Sequence, residues 1–159
     1  MPSVRFAVEF GTVEAEPGFG PNGADELRFV MSANAGEELG RISRIASGGE
    51  LSRIMLAMKN VFAENDPVQT MIFDEIDTGV SGIAAQRVGE KLYTVSKGRQ
   101  VMCVTHLPQI AAMADSHYVI SKQERNGRTY TQVSPLDREG RRRELARLHG
   151  GDNITDTTL

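Results

Sequence analysis

Two short apolar runs limit the fold of this chain: "VQTMIFDE" at residues 68–75 and "RQVMCVTH" at residues 99–106. Each run is too short for a stable helix and is bounded by turn or polar residues, as is typical of a strand covered on both faces. Between them, residues 81–96 carry apolar side chains at helical spacing. Strand, helix and strand in this order predict the α/β class, with a mainly parallel sheet and flanking helices.

Antiparallel hairpins are predicted on both sides of this core. Apolar and polar residues alternate over residues 4–10 and 27–31, around a Gly- and Pro-rich loop. Near the other end, "QERNG" at residues 123–127 gives an Asn-Gly hairpin signal. Two further helices are expected to open at Pro108 and to run from about Arg138 to His149. We interpret "DNITDTTL", the last eight residues, as the start of a further helix.

Two helices have predicted apolar stripes. The first begins near Glu50 and ends at Asn65-Asp66-Pro67, and the second spans about Ser81 to Ser96. The stripe of the first consists of Leu51, Ile54, Met55, Met58 and Phe62, and that of the second of Ala84, Val88, Leu92 and Val95. We expect both stripes to face the core.

Composition narrows the class of protein. The 159 residues amount to about one domain, and the net charge of -3 gives no overall drive toward nucleic acid or membrane. The single cysteine, Cys103, excludes an internal disulfide and fits a reducing cytosol. No apolar run approaches the roughly 20 residues of a membrane span. We therefore predict a cytoplasmic protein, in which the arginines of residues 138–147 form a solvated helix face or, alternatively, contact phosphate.

The segment "SGGE", Ser47 to Glu50, places two glycines at the first turn of a predicted helix. Ser47 and Glu50 match a capping box, but a capping box does not require glycines between them. Glycines let another group approach the backbone closely, and the start of a helix offers free amides to an anion. The segment predicts a helix cap, a phosphate site, or both.

"MIFDEID" ends a buried strand with adjacent carboxylates, Asp74 and Glu75. Such a pair is costly to place there unless a charged group uses it. Asp74 is the candidate ligand for Mg²⁺, which binds carboxylate and phosphate oxygens. Glu75 is the candidate base that activates a water molecule. The alternative interpretation is a polar strand end with helix-capping acids.

Thr105 and His106 close the next strand, at the same predicted edge of the sheet. We interpret His106 as a candidate phosphate contact. His117 and His149 have no such setting and are expected to be ordinary residues, and Cys103 is expected to be a small core residue.

One segment imitates a phosphate-binding loop. "GFGPNGAD", Gly18 to Asp25, has the glycine spacing of such a loop but lacks its lysine and its hydroxyl residue. An aspartate at that position would repel phosphate. We therefore expect no nucleotide-cradling loop in this chain.

Taken together, "IASGGELSR", "MIFDEIDTGVSG" and "VTHLPQIAAMAD" resemble the C-terminal half of an ABC-type ATPase head. The sequences of the first two segments are most similar to the RecN family, which comprises SMC-related proteins of bacterial DNA double-strand-break repair. The resemblance runs from about Val4 to the end of the chain and is strongest over residues 45–115. It implies ATP and Mg²⁺ as cofactors.

The resemblance also implies a role for each motif. Ser47, Gly48, Gly49 and Glu50 correspond to the signature motif, which contacts the γ-phosphate of ATP held by the opposite head. Asp74 corresponds to the Walker B magnesium ligand, Glu75 to the catalytic base and His106 to the switch histidine. Residues 77–82 correspond to a loop at the head–head interface, and the stretch Thr78 to Gly82 lacks the aspartate that many ABC proteins have there.

As a single lobe, the chain would comprise a hairpin region (1–40), a motif-bearing core (41–115), and a hairpin with a C-terminal helix (116–159). Its implied partners are the N-terminal Walker A lobe of the same protein, a second head and, through the whole protein, nucleoid DNA, with no membrane. Because Walker A is missing, the isolated chain is expected not to hydrolyse ATP. Two alternatives remain open: a non-catalytic interaction module, and a head lobe of another SMC-, Rad50- or RecF-like protein.

Overall fold

Residues 4–12, 23, 25–32, 36–42, 47–62 and 66–151 are described by a computed structural model. Most of the loop that imitates a phosphate-binding loop, and the predicted helix after residue 151, lie outside these residues. Contacts between Cα atoms divide the chain into two compact units, Met1–Ser47 and Gly48–Leu159. The single lobe with internal boundaries at residues 40 and 115 stays a prediction.

The first unit contains the predicted N-terminal hairpin, which is confirmed. Strands β1 (Arg5–Thr12) and β2 (Asp25–Ser32) are antiparallel, and β3 (Gly40–Arg41) adds to the other edge of β2. The expected burial of the alternating residues is largely wrong. Phe6 and Phe10 are 59% and 72% exposed, and Phe6 stacks on Phe29 with ring centroids 5.7 Å apart. Cross-strand pairing brings these apolar side chains together without removing them from water.

The second unit starts with helix α1 (Gly48–Val61) and strand β4 (Thr70–Phe73). Helix α2 (Gly82–Val95) follows, and strand β5 (Gln100–Cys103) returns parallel to β4. Helix α3 (Pro108–Ala111) begins at the predicted proline. These elements confirm the α/β class, and the parallel part of the described structure is this one pair of strands.

The remaining elements are the hairpin of β6 (Tyr118–Arg125) and β7 (Arg128–Pro135) and helix α4 (Arg138–Gly150). Asn126 and Gly127 both have positive φ, as the predicted two-residue turn requires. The Asp137 side chain caps α4 by accepting from the Gly140 amide. Several arginines of α4 pair with Glu139 and Glu144 on the same helix, which favours the interpretation of α4 as a solvated helix face.

The core of the second unit lies on one face of the β4–β5 pair. Its buried members are Leu56, Met71, Phe73, Ile76, Ala85, Leu92, Val95 and Ile110. Two predicted helix stripes need correction. In α2, Ala85 is buried and Ala84 is exposed, and in α1, Leu56 is buried while Leu51, Met55 and Met58 are exposed. A one-residue difference rotates the buried face of a helix by about 100°, which spacing alone resolves poorly.

The opposite face of the same two strands is open. Ile72 and Met102 are partners in the strand register and remain 69% and 52% exposed. The prediction that both faces of these strands are covered is therefore wrong for this chain by itself, although parallel strands normally have both faces covered. Cys103, on the core side, has its pKa raised to about 12, chiefly by burial and also by the charges of Asp77 and Asp74. Its thiol is therefore protonated and poorly reactive at neutral pH, as expected for a core residue.

Among the described residues, no helix is long and apolar enough to cross a membrane.

Candidate functional site

The predicted acid pair lies on a tight turn directly after β4. The amide of Val104 donates to the Phe73 carbonyl at 3.0 Å, so β4 and β5 stay paired up to this turn. Asp74 and Glu75 are both exposed, and the Asp74 Oδ1 accepts from the Glu75 amide at 2.8 Å. Glu75 has φ of 56°, a left-handed conformation that is unfavourable for most residues other than glycine. The turn therefore holds Glu75 in a strained backbone conformation.

Two side chains of helix α1 donate hydrogen bonds to this turn. The Ser52 hydroxyl donates to the Asp74 carbonyl at 2.9 Å. The Arg53 guanidinium donates to the carbonyls of Ile76 and Thr78 at 3.2 Å and 2.7 Å. These bonds satisfy backbone acceptors of the turn and fix its position against the N-terminal part of α1.

The double glycine permits a close contact with the same turn. A Cβ atom on Gly48 would lie 2.5 Å from the Glu75 Oε2. A Cβ atom on Gly49 would lie 2.8 Å from the Glu75 carbonyl oxygen and 2.9 Å from the Thr78 Cβ. Packing within this chain alone therefore disfavours a larger residue at Gly49, where the backbone of the turn is in the way, and at Gly48 it requires the Glu75 side chain to move.

The contact also places a carboxylate at the start of α1. Apart from its chain neighbours and the backbone of α1, the Glu75 side chain lies nearest to the position of a Cβ on Gly48. A helix N-terminus attracts an anion through its free amides and its dipole. In the described structure, Ser47 is exposed and Glu50 is half-buried. The capping box and the phosphate contact of residues 47–50 both stay predictions.

A second cluster lies where β5 ends. Asp77 is only 4% exposed, and its Oδ2 accepts from the Thr105 hydroxyl at 2.6 Å and from the His106 amide at 2.8 Å. The His106 Nδ1 lies 2.9 Å from the same oxygen, whereas the His106 side chain is 73% exposed. Burial alone would raise the pKa of Asp77, but these hydrogen bonds and the nearby imidazole outweigh it and lower the pKa below its usual value.

Sequence reasoning gave no role to Ser52 or Arg53, and it included Asp77 only as the first residue of the loop at residues 77–82. Arg53, Ser52 and Asp77 stand within the motifs, yet their contacts join residues 22 to 29 positions apart. The sequence does contain one indication for Asp77, which is its position directly after the apolar Ile76. An acid that is buried there must accept hydrogen bonds from other residues. His117 and His149 lie outside both clusters, as expected.

The acid pair suits a magnesium ion that is shared with phosphate. Among the described residues, no group of three or more His, Cys, Asp or Glu side chains is arranged to hold a metal. Mg²⁺ commonly takes one or two carboxylates and completes its shell with water and substrate phosphate oxygens. Asp74, exposed at the strand end, can supply such a carboxylate.

We expect Gly49→Ala to destabilise the second unit more than Gly48→Ala does. The Cβ at residue 49 meets the backbone of the turn, which cannot move freely, whereas the Cβ at residue 48 meets the end of a flexible side chain. Overpacking of this kind costs roughly 1–3 kcal/mol. Urea unfolding of both variants measures the difference, and equal losses of stability would contradict the close contact at Gly49.

Solved structures with a similar fold are SMC heads. The chain aligns with one from a study of ATP-driven dimerization and DNA-stimulated activation of SMC ATPases, with TM-score 0.52, 23% identity, and coverage of 91% of this chain and 81% of that one. It also aligns with the Smc head domain with a coiled coil and joint from Pyrococcus yayanosii, with TM-score 0.61, 24% identity, and coverage of 93% and 26%. The fold of this chain is therefore of the same class as that of SMC head domains.

Curated relatives identify the family. RecN, the DNA repair protein, from Bacillus subtilis is 51% identical over 86% of this chain and 24% of its own length. The Halalkalibacterium halodurans and Deinococcus radiodurans RecN proteins are 46% and 43% identical, over 99% and 100% of this chain and 28% and 27% of their own lengths. The chain belongs to the RecN family and matches its C-terminal end.

The chain spans about a quarter of the length of these relatives. No protein-family model matches it.

Proposed function

We propose that this chain is the signature and Walker B lobe of a RecN-type ATPase head, which binds and hydrolyses ATP at a head–head interface during DNA double-strand-break repair and recombination. The observation that carries this proposal is the turn after β4. It presents two exposed carboxylates, Asp74 and Glu75, and is fastened to the glycine start of α1 by Ser52 and Arg53.

Each residue then has one role. Asp74 binds the Mg²⁺ that accompanies ATP, and Glu75 accepts a proton from the attacking water. The start of α1, residues 47–50, binds the γ-phosphate of the nucleotide held by a second head, through its free amides. His106, with its exposed ring, contacts phosphate at the same interface.

Exposed apolar surfaces support an N-terminal Walker A lobe as the partner of this chain. Ile72 and Met102 lie on the open face of the parallel strands, and α1 exposes Leu51, Met55 and Met58. Apolar side chains grouped in this way usually mark an interaction surface. We propose that the N-terminal lobe covers them, that a second head pairs with the first, and that the whole protein contacts DNA in the nucleoid.

The test uses a chimera in which this chain replaces the matching C-terminal segment of Bacillus subtilis RecN. We expect the chimera to hydrolyse ATP with Mg²⁺ and the isolated chain to show no turnover above the buffer rate. Positioning of the phosphates supplies most of phosphoryl-transfer catalysis, and the chain lacks the loop that holds them.

Two outcomes would overturn parts of the proposal. Magnesium-dependent turnover by the purified isolated chain would show that the chain needs no second lobe. A chimera that folds and binds ATP but does not hydrolyse it would favour the alternative of a non-catalytic interaction module.

A further inference from the structure

We infer that Asp77 is a positioning residue for His106: it fixes both the orientation of the imidazole and the ring nitrogen that carries its proton. The inference rests on the proposed function, because it assumes that His106 acts at the nucleotide. The juxtaposition that carries it is a buried carboxylate that joins the turn after β4 to the end of β5, 29 residues further along the chain.

The geometry concentrates three donors on one oxygen. The Asp77 Oδ2 lies 2.6 Å from the Thr105 hydroxyl, 2.8 Å from the His106 amide and 2.9 Å from the His106 Nδ1. The Thr105 hydroxyl accepts in turn from the Leu107 amide at 3.1 Å. Backbone and ring of His106 are therefore both held by the Asp77 side chain, which is 5% exposed.

This arrangement determines the protonation pattern of the ring. An ionised carboxylate only accepts hydrogen bonds, so the Nδ1 that faces Asp77 must carry a hydrogen. The Nε2 then lies on the far side of a ring that is 73% exposed. A hydrogen bond from Nε2 to a phosphate requires a second proton, and Asp77 is the counter-charge beside the resulting imidazolium.

Asp77 also connects the two motifs that the proposed function uses. It lies two residues after Glu75 on the same turn, and the Val80 amide donates to the Asp77 carbonyl at 3.2 Å. A displacement of this turn would therefore displace His106 as well. The contact between Asp77 and His106 therefore fixes the position of His106, the proposed switch histidine, relative to Glu75, the proposed base, within one chain.

A double-mutant cycle in the chimera tests the inference. We expect His106→Ala to lower kcat by about 10²-fold, which is typical when one donor to a transition-state oxygen is removed. Asp77→Ala should lower kcat by a similar factor with a smaller change in KM. The double variant should lie within about twofold of His106→Ala, because a residue that acts only through the ring has no effect once the ring is gone.

Thr105→Val is the matched control, because it removes a donor to the same oxygen and leaves the contact with the ring. We expect Thr105→Val to change kcat by the same factor in the presence of His106 and in the His106→Ala variant. The thermal unfolding of every variant is measured to confirm that it is folded. Should Asp77→Ala fail to fold, Asp77→Asn removes the charge at constant volume and enters the same cycle.

The outcomes separate this inference from the proposed function. If Asp77→Ala lowers kcat by the same factor with and without His106, Asp77 does not act through the ring and the inference is wrong, while the role of His106 stands. If His106→Ala leaves kcat unchanged, the role that the proposed function gives to His106 is wrong, and the inference about Asp77 is then wrong as well.

Discussion

Replacing Glu75 by Gln in the chimera will lower ATP turnover by roughly 10²–10⁴-fold, the range for loss of a general base. The amide keeps the shape of the side chain but cannot take up the proton of the attacking water. ATP binding should survive, and paired heads with bound ATP should accumulate, because only the chemical step is blocked. Steady-state turnover, nucleotide binding and size-exclusion chromatography with ATP measure the three effects.

Two further variants show whether the effect belongs to this residue. Glu124→Gln makes the same chemical change at an exposed position on the β6–β7 hairpin and should leave turnover within about twofold of the unsubstituted chimera. Asp74→Asn should instead weaken the part of ATP binding that depends on magnesium. Unchanged turnover in both Glu75→Gln and Asp74→Asn would refute the roles assigned to the acid pair.

Gly48→Asp should abolish ATP-driven head pairing, and with it hydrolysis, while each head still binds nucleotide. A fixed carboxylate at the start of α1 would meet the incoming γ-phosphate where free amides and a bare backbone are needed. If residues 47–50 served only as a helix cap, an acid in the first turn would stabilise the helix by about 0.3–1 kcal/mol and pairing would persist. ATP binding, ATP-dependent dimerisation and turnover are measured together.

The contact between Gly48 and Glu75 makes a control necessary. An added Cβ alone lies 2.5 Å from the Glu75 Oε2, so any substitution displaces the Glu75 carboxylate within the same chain. Gly48→Ala has this effect without the charge. We expect it to slow hydrolysis and to retain head pairing. Loss of pairing in Gly48→Ala as well would assign the glycine to packing in this chain and remove the support for a phosphate contact.

The elements and their order followed from local patterns. Helices that begin at Gly48, Gly82, Pro108 and Arg138, and strands that end at Phe73 and Cys103, match the predicted elements within a few residues. Spacing of apolar side chains and turn residues act over a few positions, and both are read directly from the chain. The acid pair at the end of β4 was predicted for the same reason.

Burial was predicted less well, because it depends on what each face meets. The alternation in β1 marks one face of the hairpin correctly, yet Phe6 and Phe10 stay in contact with water. In α1, Leu56 is buried and Met55 is not, although they are adjacent in sequence. A repeat of apolar residues shows that a face can be buried and does not show which neighbour buries it.

The sequence by itself determined the α/β class, the turn that carries Asp74 and Glu75, and the glycines at the start of α1. Only the tertiary structure decided that these glycines accommodate Glu75, that Arg53 holds the turn, and that Asp77 binds His106. The physical reason is the range of each interaction. Hydrophobic period and turn chemistry are properties of neighbouring residues, whereas a hydrogen bond between residues 77 and 106 exists only after two strands have paired and brought their ends to the same edge.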